Sequence, residues 1–175
     1  DPVLGNNGTE LINIVQKDFL FGLFEKVEFE LVPIEVFVEA PFKGMEITIH
    51  EHTVETDEEG SQSLGQYLPG VYEWSYTYQG EWAALKNSGE LQIESYGSNQ
   101  MRADLDWDMA SLDLSSEIDD AIVYVDGTST EKTVSELETI YPLPNDETIE
   151  VYAIAKDEAG KELKSNIVTS DSGYA

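Results

Sequence analysis

Residues 64–80 read LGQYLPGVYEWSYTYQG, and residues 139–160 read TIYPLPNDETIEVYAIAKDEAG. Each stretch places a Leu-Pro turn, Leu68-Pro69 or Leu143-Pro144, before a long alternating run that ends on a glycine turn at Gly80 or Gly160. In the first run Tyr72, Trp74, Tyr76 and Tyr78 take every second position, opposite Glu73, Ser75, Thr77 and Gln79. That is the period of a strand with one aromatic and one polar face. In the second run Val151, Ala153 and Ala155 fill the alternate positions. A short apolar strand precedes each stretch (EITI, IVYV), and a Leu-Lys pair follows each glycine turn, Leu85-Lys86 and Leu163-Lys164. A spacing of roughly 75–80 residues is too long for a solenoid unit and fits a duplicated small all-β domain.

Working outward, Thr9 reads as an N-cap, with Leu11, Ile12 and Val15 on one face of a short helix ending near Lys17. Val27, Phe29 and Leu31 then alternate with Glu28 and Glu30, and past Pro33 the pattern restarts at Ile34, Val36 and Val38. Pro33 marks a strand start, edge or break. The acidic stretch ETDEEGSQS (55–63) reads as a solvated loop, and SLDLSSEIDD (111–120) as the boundary between two modules. The expected organisation is an N-terminal segment with a short helix at 1–24, a first β-domain at 25–110 and a second at 111–175.

Composition narrows the function classes. With 36 acidic against 9 basic residues the net charge is −27, and Arg102 is the single arginine. Such a surface repels nucleic acid phosphates and anionic lipid headgroups, so neither is an expected partner. It suits hydration in a salty or alkaline exterior, with cationic ligands as the rival explanation. With no cysteine, disulfides, thiolate metal sites and cysteine nucleophiles are excluded. No apolar run approaches the roughly 20 residues of a membrane span, so any anchor is expected outside these residues.

Four groups of residues invite a chemical role. The row Tyr72–Tyr78 could stack sugars, though a packed sheet face needs the same alternation. Trp82, just past the Gly80 turn, is the better candidate for an exposed contact. His50 and His52 would share one strand face, as zinc ligands do, but nearby glutamates are all that offer a third ligand. Asp104, Asp106 and Asp108 open like a calcium loop, yet Met109 and Ser115 stand where glycine and glutamate are required. On a strand the three carboxylates would stack toward solvent, opposite Leu105 and Trp107. A carboxylate pair at glycosidase separation could arise from so many acids. Serine-elbow, phosphate-loop and HExxH motifs are all lacking. The expectation is therefore not an enzyme, with no catalytic, cofactor-binding or metal residue and no cofactor.

The run LFEKVEFELVPIEVFVEA, with a hairpin and LGQYLPGVYEW after it, resembles the extracytoplasmic part of TcaA-like, teicoplanin-resistance-associated membrane proteins of low-GC Gram-positive bacteria. The second module is similar through VYVDGTSTEKTVSE, YPLPNDETIEVYA and GKELKSN, and the LPG turn at 68–70 also resembles that of short PEGA-type surface domains. The resemblance spans roughly residues 10–170 and rests on turn and strand residues. It implies an internal fragment of a larger protein with a cytoplasmic zinc ribbon, one membrane helix and several outward domains. The predicted fold is mostly β: two tandem small Ig-like or PEGA-like β-sandwich domains preceded by a short N-terminal helix. The predicted function is a non-enzymatic extracytoplasmic cell-envelope module of a membrane-anchored protein, spacing other domains or sensing wall components or antibiotics. The alternative is a module that binds or hydrolyses cell-wall polysaccharide. Its partner would be a cell-wall component or envelope protein.

Overall fold

Strand alternation governs nearly every part of the computed structural model, which describes residues 2–4, 10–19, 24–95, 98–118, 120–145 and 147–169. The chain divides into two units, Asp1–Tyr76 with Ser88–Asp106, and Thr77–Asn87 with Trp107–Ala175.

The first unit opens with β1 (Pro2–Leu4), β2 (Glu10–Phe19) and β3 (Phe24–Leu31), an antiparallel sheet in that order. The helix expected up to Lys17 is therefore a strand, and its proposed cap, Thr9, lies outside the described residues. The physical reason is twofold. Ile12, Ile14 and Val15 are β-branched and lose side-chain freedom in a helix. In addition, β3 offers a complete ladder, Ile12↔Leu31, Ile14↔Phe29 and Gln16↔Val27, so long-range pairing overrides the local helical period.

After Pro33 come β4 (Ile34–Ala40), β5 (Glu46–Ile49), β6 (His52–Glu55), β7 (Gly60–Tyr67), β8 (Gly70–Gln79), β9 (Ala84–Ile93) and β10 (Gln100–Ala103). They form a sheet of order β10-β4-β7, with β10 parallel to β4, and another of order β6-β5-β8-β9. Alternate residues are buried as the pattern demands: Ile34, Val36, Val38 and Ala40 on β4, Ile47 and Ile49 on β5, Trp74 and Tyr76 on β8, Leu91 and Ile93 on β9. Thr56 closes the base of the β5–β6 hairpin from inside the core. Its hydroxyl accepts from Met45 N at 2.9 Å and donates to Phe42 O at 2.7 Å. The Leu68-Pro69 turn is present between β7 and β8, where the Tyr72 hydroxyl donates to Leu68 O and the Tyr67 hydroxyl to Leu64 O, both at 2.9 Å.

The second unit contains β11 (Met109–Asp113), β12 (Ile122–Val125), β13 (Thr128–Thr133), α1 (Val134–Leu137), β14 (Thr139–Pro144), β15 (Glu150–Lys156), β16 (Glu162–Lys164) and β17 (Val168–Thr169). β11 pairs with β14, while β13-β12-β15-β16 form a second sheet in which β17 also pairs with β15. Asp126-Gly127 makes the two-residue turn between β12 and β13 with φ values of 46° and 78°, a conformation that glycine and aspartate tolerate best. Val123, Val125, Ile140, Leu143, Ile149, Val151 and Ala155 form the core, with Trp82 and Ala83 packed against it. Leu143-Pro144 is not a turn here. It is the buried end of β14, held in register by Ala110↔Leu143 and Met109↔Pro144.

Candidate binding cleft and surface residues

Beyond β11 the chain crosses the second unit as an extended strap, 114–118. Leu114 N donates to Glu138 O at 2.7 Å. The Ser116 hydroxyl accepts from Ile118 N at 3.0 Å and donates to Ile118 O at 3.1 Å. The strap belongs to no ladder, Leu114 packs against the core of the unit, and a gap remains between the following residues and the sheet. The gap is a cleft of about 220 Å³ with a floor of Val123, Val134, Val151 and Ala153 and a rim of Asp113, Ser115, Ser116, Ser165 and Asn166. A second recess of about 210 Å³ shares Leu114, Ser115, Ser116 and Val134.

The rim is chemically uneven. Asp113 Oδ1 accepts from the Thr139 hydroxyl at 2.9 Å. Ser165 is fully engaged in the sheet edge, accepting from Ala153 N at 2.9 Å and donating to Asn166 O at 2.7 Å. Within the described residues the Ser115 hydroxyl and the Asn166 side-chain amide have no hydrogen-bond partner. The cleft therefore combines an apolar floor with a carboxylate, an amide and a hydroxyl that remain able to bond a ligand.

The first unit carries a wider, open depression of about 470 Å³ lined by Thr48, His50, Glu73, Ser75, Ser88 and Glu90, with Trp74 and Gly89. Strand alternation puts Glu73 and Ser75 on the face opposite the Trp74 ring. That ring lies over Gly89 on the buried side, with Nε1 3.0 Å from where a Cβ would stand. The depression is thus an acidic, hydroxyl-bearing surface without an available aromatic face.

The residues singled out from sequence are dispersed. Trp74 is 7% exposed and Tyr76 1%, and their rings stack at 6.4 Å, so the aromatic row is a packed sheet face. Trp82 is not an exposed contact: it is half-buried against the core of the second unit, with Lys132 Nζ 5.4 Å from its ring and 3.0 Å from Glu81 Oε1. His50 and His52 do not share a strand face. His50 sits in the β5–β6 turn with φ 56°, edge-on to Tyr72 at 6.3 Å, while His52 begins β6. The aspartate row is not a strand either, since 104–108 has no regular structure. Leu105 is buried there, while Asp108 adopts φ 45° and accepts from Asn145 Nδ2 at 2.9 Å. Among the described residues no three His, Asp or Glu side chains converge as a metal site would require.

Sequence reading missed two features. Thr133-Val134-Ser135-Glu136 is a capping box: Glu136 Oε2 accepts from Thr133 N at 2.8 Å and the Thr133 hydroxyl from Glu136 N at 3.3 Å. The T-x-x-E spacing was its signal. The Thr133 backbone N–H first, and its hydroxyl second, which also donates to Glu136 Oε2 at 3.2 Å, hold the Glu136 carboxyl below the usual range. The cleft itself left no signal, because its floor residues look like any other core valines.

Residues 108–175 match the family model described as TcaA protein 3rd/4th domain. This part of the chain is TcaA-like. The match covers the β11–β17 region, so the strap and both of its recesses lie within the TcaA-like unit. It also agrees with the resemblance read from VYVDGTSTEKTVSE, YPLPNDETIEVYA and GKELKSN. TcaA-like proteins are associated with the cell envelope and its membrane. No curated protein and no solved structure matches the chain.

Proposed function

We propose that this chain is a non-enzymatic, extracytoplasmic module of a membrane-anchored cell-envelope protein, in which two β-sandwich units space or present other domains and sense wall components or antibiotics. The TcaA-like match over residues 108–175 carries this reading. The aromatic chemistry supports it. On the outer face of the β12–β15 sheet Tyr124 and Tyr152 stack on each other at 5.2 Å, and Lys164 Nζ covers Tyr152 at 3.5 Å from the ring centre. With Trp74 and Tyr76 buried as well, these rings are committed to the fold and do not form the open stacking platform on which a lectin or polysaccharide hydrolase relies. A net charge of −27 suits an exposed, hydrated spacer.

The test has two arms. Purified chain is incubated with peptidoglycan and wall polysaccharide, and both retention and release of reducing ends are measured. In parallel, residues 1–175 of the full gene product are exchanged for unrelated β-domains of similar reach. A spacer predicts no hydrolysis and retained function after exchange, whereas a sensor predicts loss of the antibiotic or wall response with no hydrolysis. Release of reducing ends would replace this reading with that of a wall-polysaccharide enzyme.

A further inference from the structure

We propose that the cleft under the Leu114–Ile118 strap is a binding site for a primary ammonium group carried on one aromatic ring or compact branched alkyl group. This goes beyond the module reading and stands on separate observations. Size comes first. A closed apolar cavity of about 150 Å³ accommodates benzene. At about 220 Å³ the cleft has room for one six-membered ring and a short linker. The floor comes next. Val123 and Val151 are 1% and 2% exposed, and Val134 is 7% exposed, so the floor is apolar and the burial gained on binding comes from the ligand ring leaving water.

The rim selects the polar end. Asp113 spends Oδ1 on Thr139, which leaves its other carboxylate oxygen to accept. The Ser115 hydroxyl and the Asn166 amide oxygen are further acceptors that the fold does not consume. An ammonium group has three N–H donors and no acceptor, which matches three acceptors around one mouth. A carboxylate or phosphate in the same place would face Asp113 and, behind it, the field of a chain at −27. The opposite face of β15 cannot serve instead, because Tyr152 is already sandwiched by Tyr124 and Lys164.

Two sources present this chemistry: a free small amine, and the amino terminus of a peptide whose first residue is apolar. The experiment titrates the full 175-residue chain with 2-phenylethylamine, 3-phenylpropionate and Phe-Gly-Gly amide, following methyl and amide chemical shifts by NMR. The amine should saturate, with the largest shifts at Val123, Val134 and Val151, and should bind at least about tenfold tighter than the anion. Peptide binding with the same shifts would assign an open mouth that admits a chain terminus, and amine binding alone would assign a small-molecule site. Ala153→Leu fills the floor and should abolish the shifts. Because that change could disturb folding, Asp113→Asn provides the second variant: it keeps the Thr139 bond and should weaken the amine about tenfold while strengthening the anion, whose repulsion by Asp113 is removed. Absence of saturable amine binding, equal binding of amine and anion, or shifts that survive Ala153→Leu would overturn the proposal.

Discussion

Replacing Gly89 by alanine tests the tightest surroundings of any described glycine in the first unit. A Cβ at position 89 would stand 3.0 Å from Trp74 Nε1 and 3.2 Å from Cε2 and Cζ2. Comfortable contact is about 3.5–4.0 Å, so the indole must retreat by roughly half an ångström. It has little room to do so. Trp74 is 7% exposed and stacks within 8° of parallel on Tyr76, which is 1% exposed and passes the displacement into the core. Overpacking of this kind costs about 1–3 kcal/mol. Losing a glycine restricts the unfolded chain and returns about 0.4–1 kcal/mol. The net is a destabilisation of about 1–2 kcal/mol, and each kcal/mol lowers the midpoint of a unit of this size by about 4–8 °C. Scanning calorimetry on the parent, Gly89→Ala, Trp74→Phe and the double variant closes the cycle. The phenyl ring lacks the indole edge that meets the new methyl, so Gly89→Ala should be neutral or stabilising in the Trp74→Phe background, with a coupling of about 1–2 kcal/mol. An unchanged midpoint for Gly89→Ala alone, or an equal cost in both backgrounds, would refute the reasoning.

The two Leu-Lys pairs of the repeat should respond differently. Leu85→Ala, at 1% exposure, should cost about 2–5 kcal/mol, and Leu163→Ala, at 43%, less than about 1 kcal/mol in urea denaturation. Glu136 should make stability pH-dependent. Its folded carboxyl sits below the ordinary value near ~4.3, so its contribution is present above that value and is lost as the pH falls through the lowered one. Glu136→Gln should therefore melt below the parent at neutral pH and converge with it in acid; a constant gap would show that the cap's charge does not matter. Lys17, raised by its hydrogen bond to Glu28, has the opposite sign: its contribution is present below ~10.4 and is lost as the pH rises through the raised value, which Lys17→Met should remove. Moderate NaCl should raise the melting temperature by screening a net charge of −27, and CaCl₂ at matched ionic strength should do no more. A calcium-specific shift lost on changing Asp104, Asp106 and Asp108 to Asn would identify an ion site in the 104–108 segment.

What the sequence alone determined was the strand content and much of the buried face. Period-two alternation at Ile34–Ala40, Trp74–Tyr76 and Val151–Ala155 is dictated by the pleat, and every one of those segments is a strand. The charge, the missing cysteines and the TcaA-like turn residues were equally legible, because they need no partner to be read. Tertiary structure decided whatever depends on a partner distant in the chain. β2 carries a helix-compatible pattern and is a strand because β3 is there to pair with it. Leu143-Pro144 resembles a turn and is a buried strand end because β11 pairs with it. Leu85 and Leu163 follow equivalent glycine turns, yet one is core and the other surface, since burial is set by what lies across from a residue. The cleft belongs to the same class: Asn166 is about fifty residues from Asp113 and Ser115 in the sequence, and only the tertiary fold brings it to the same rim.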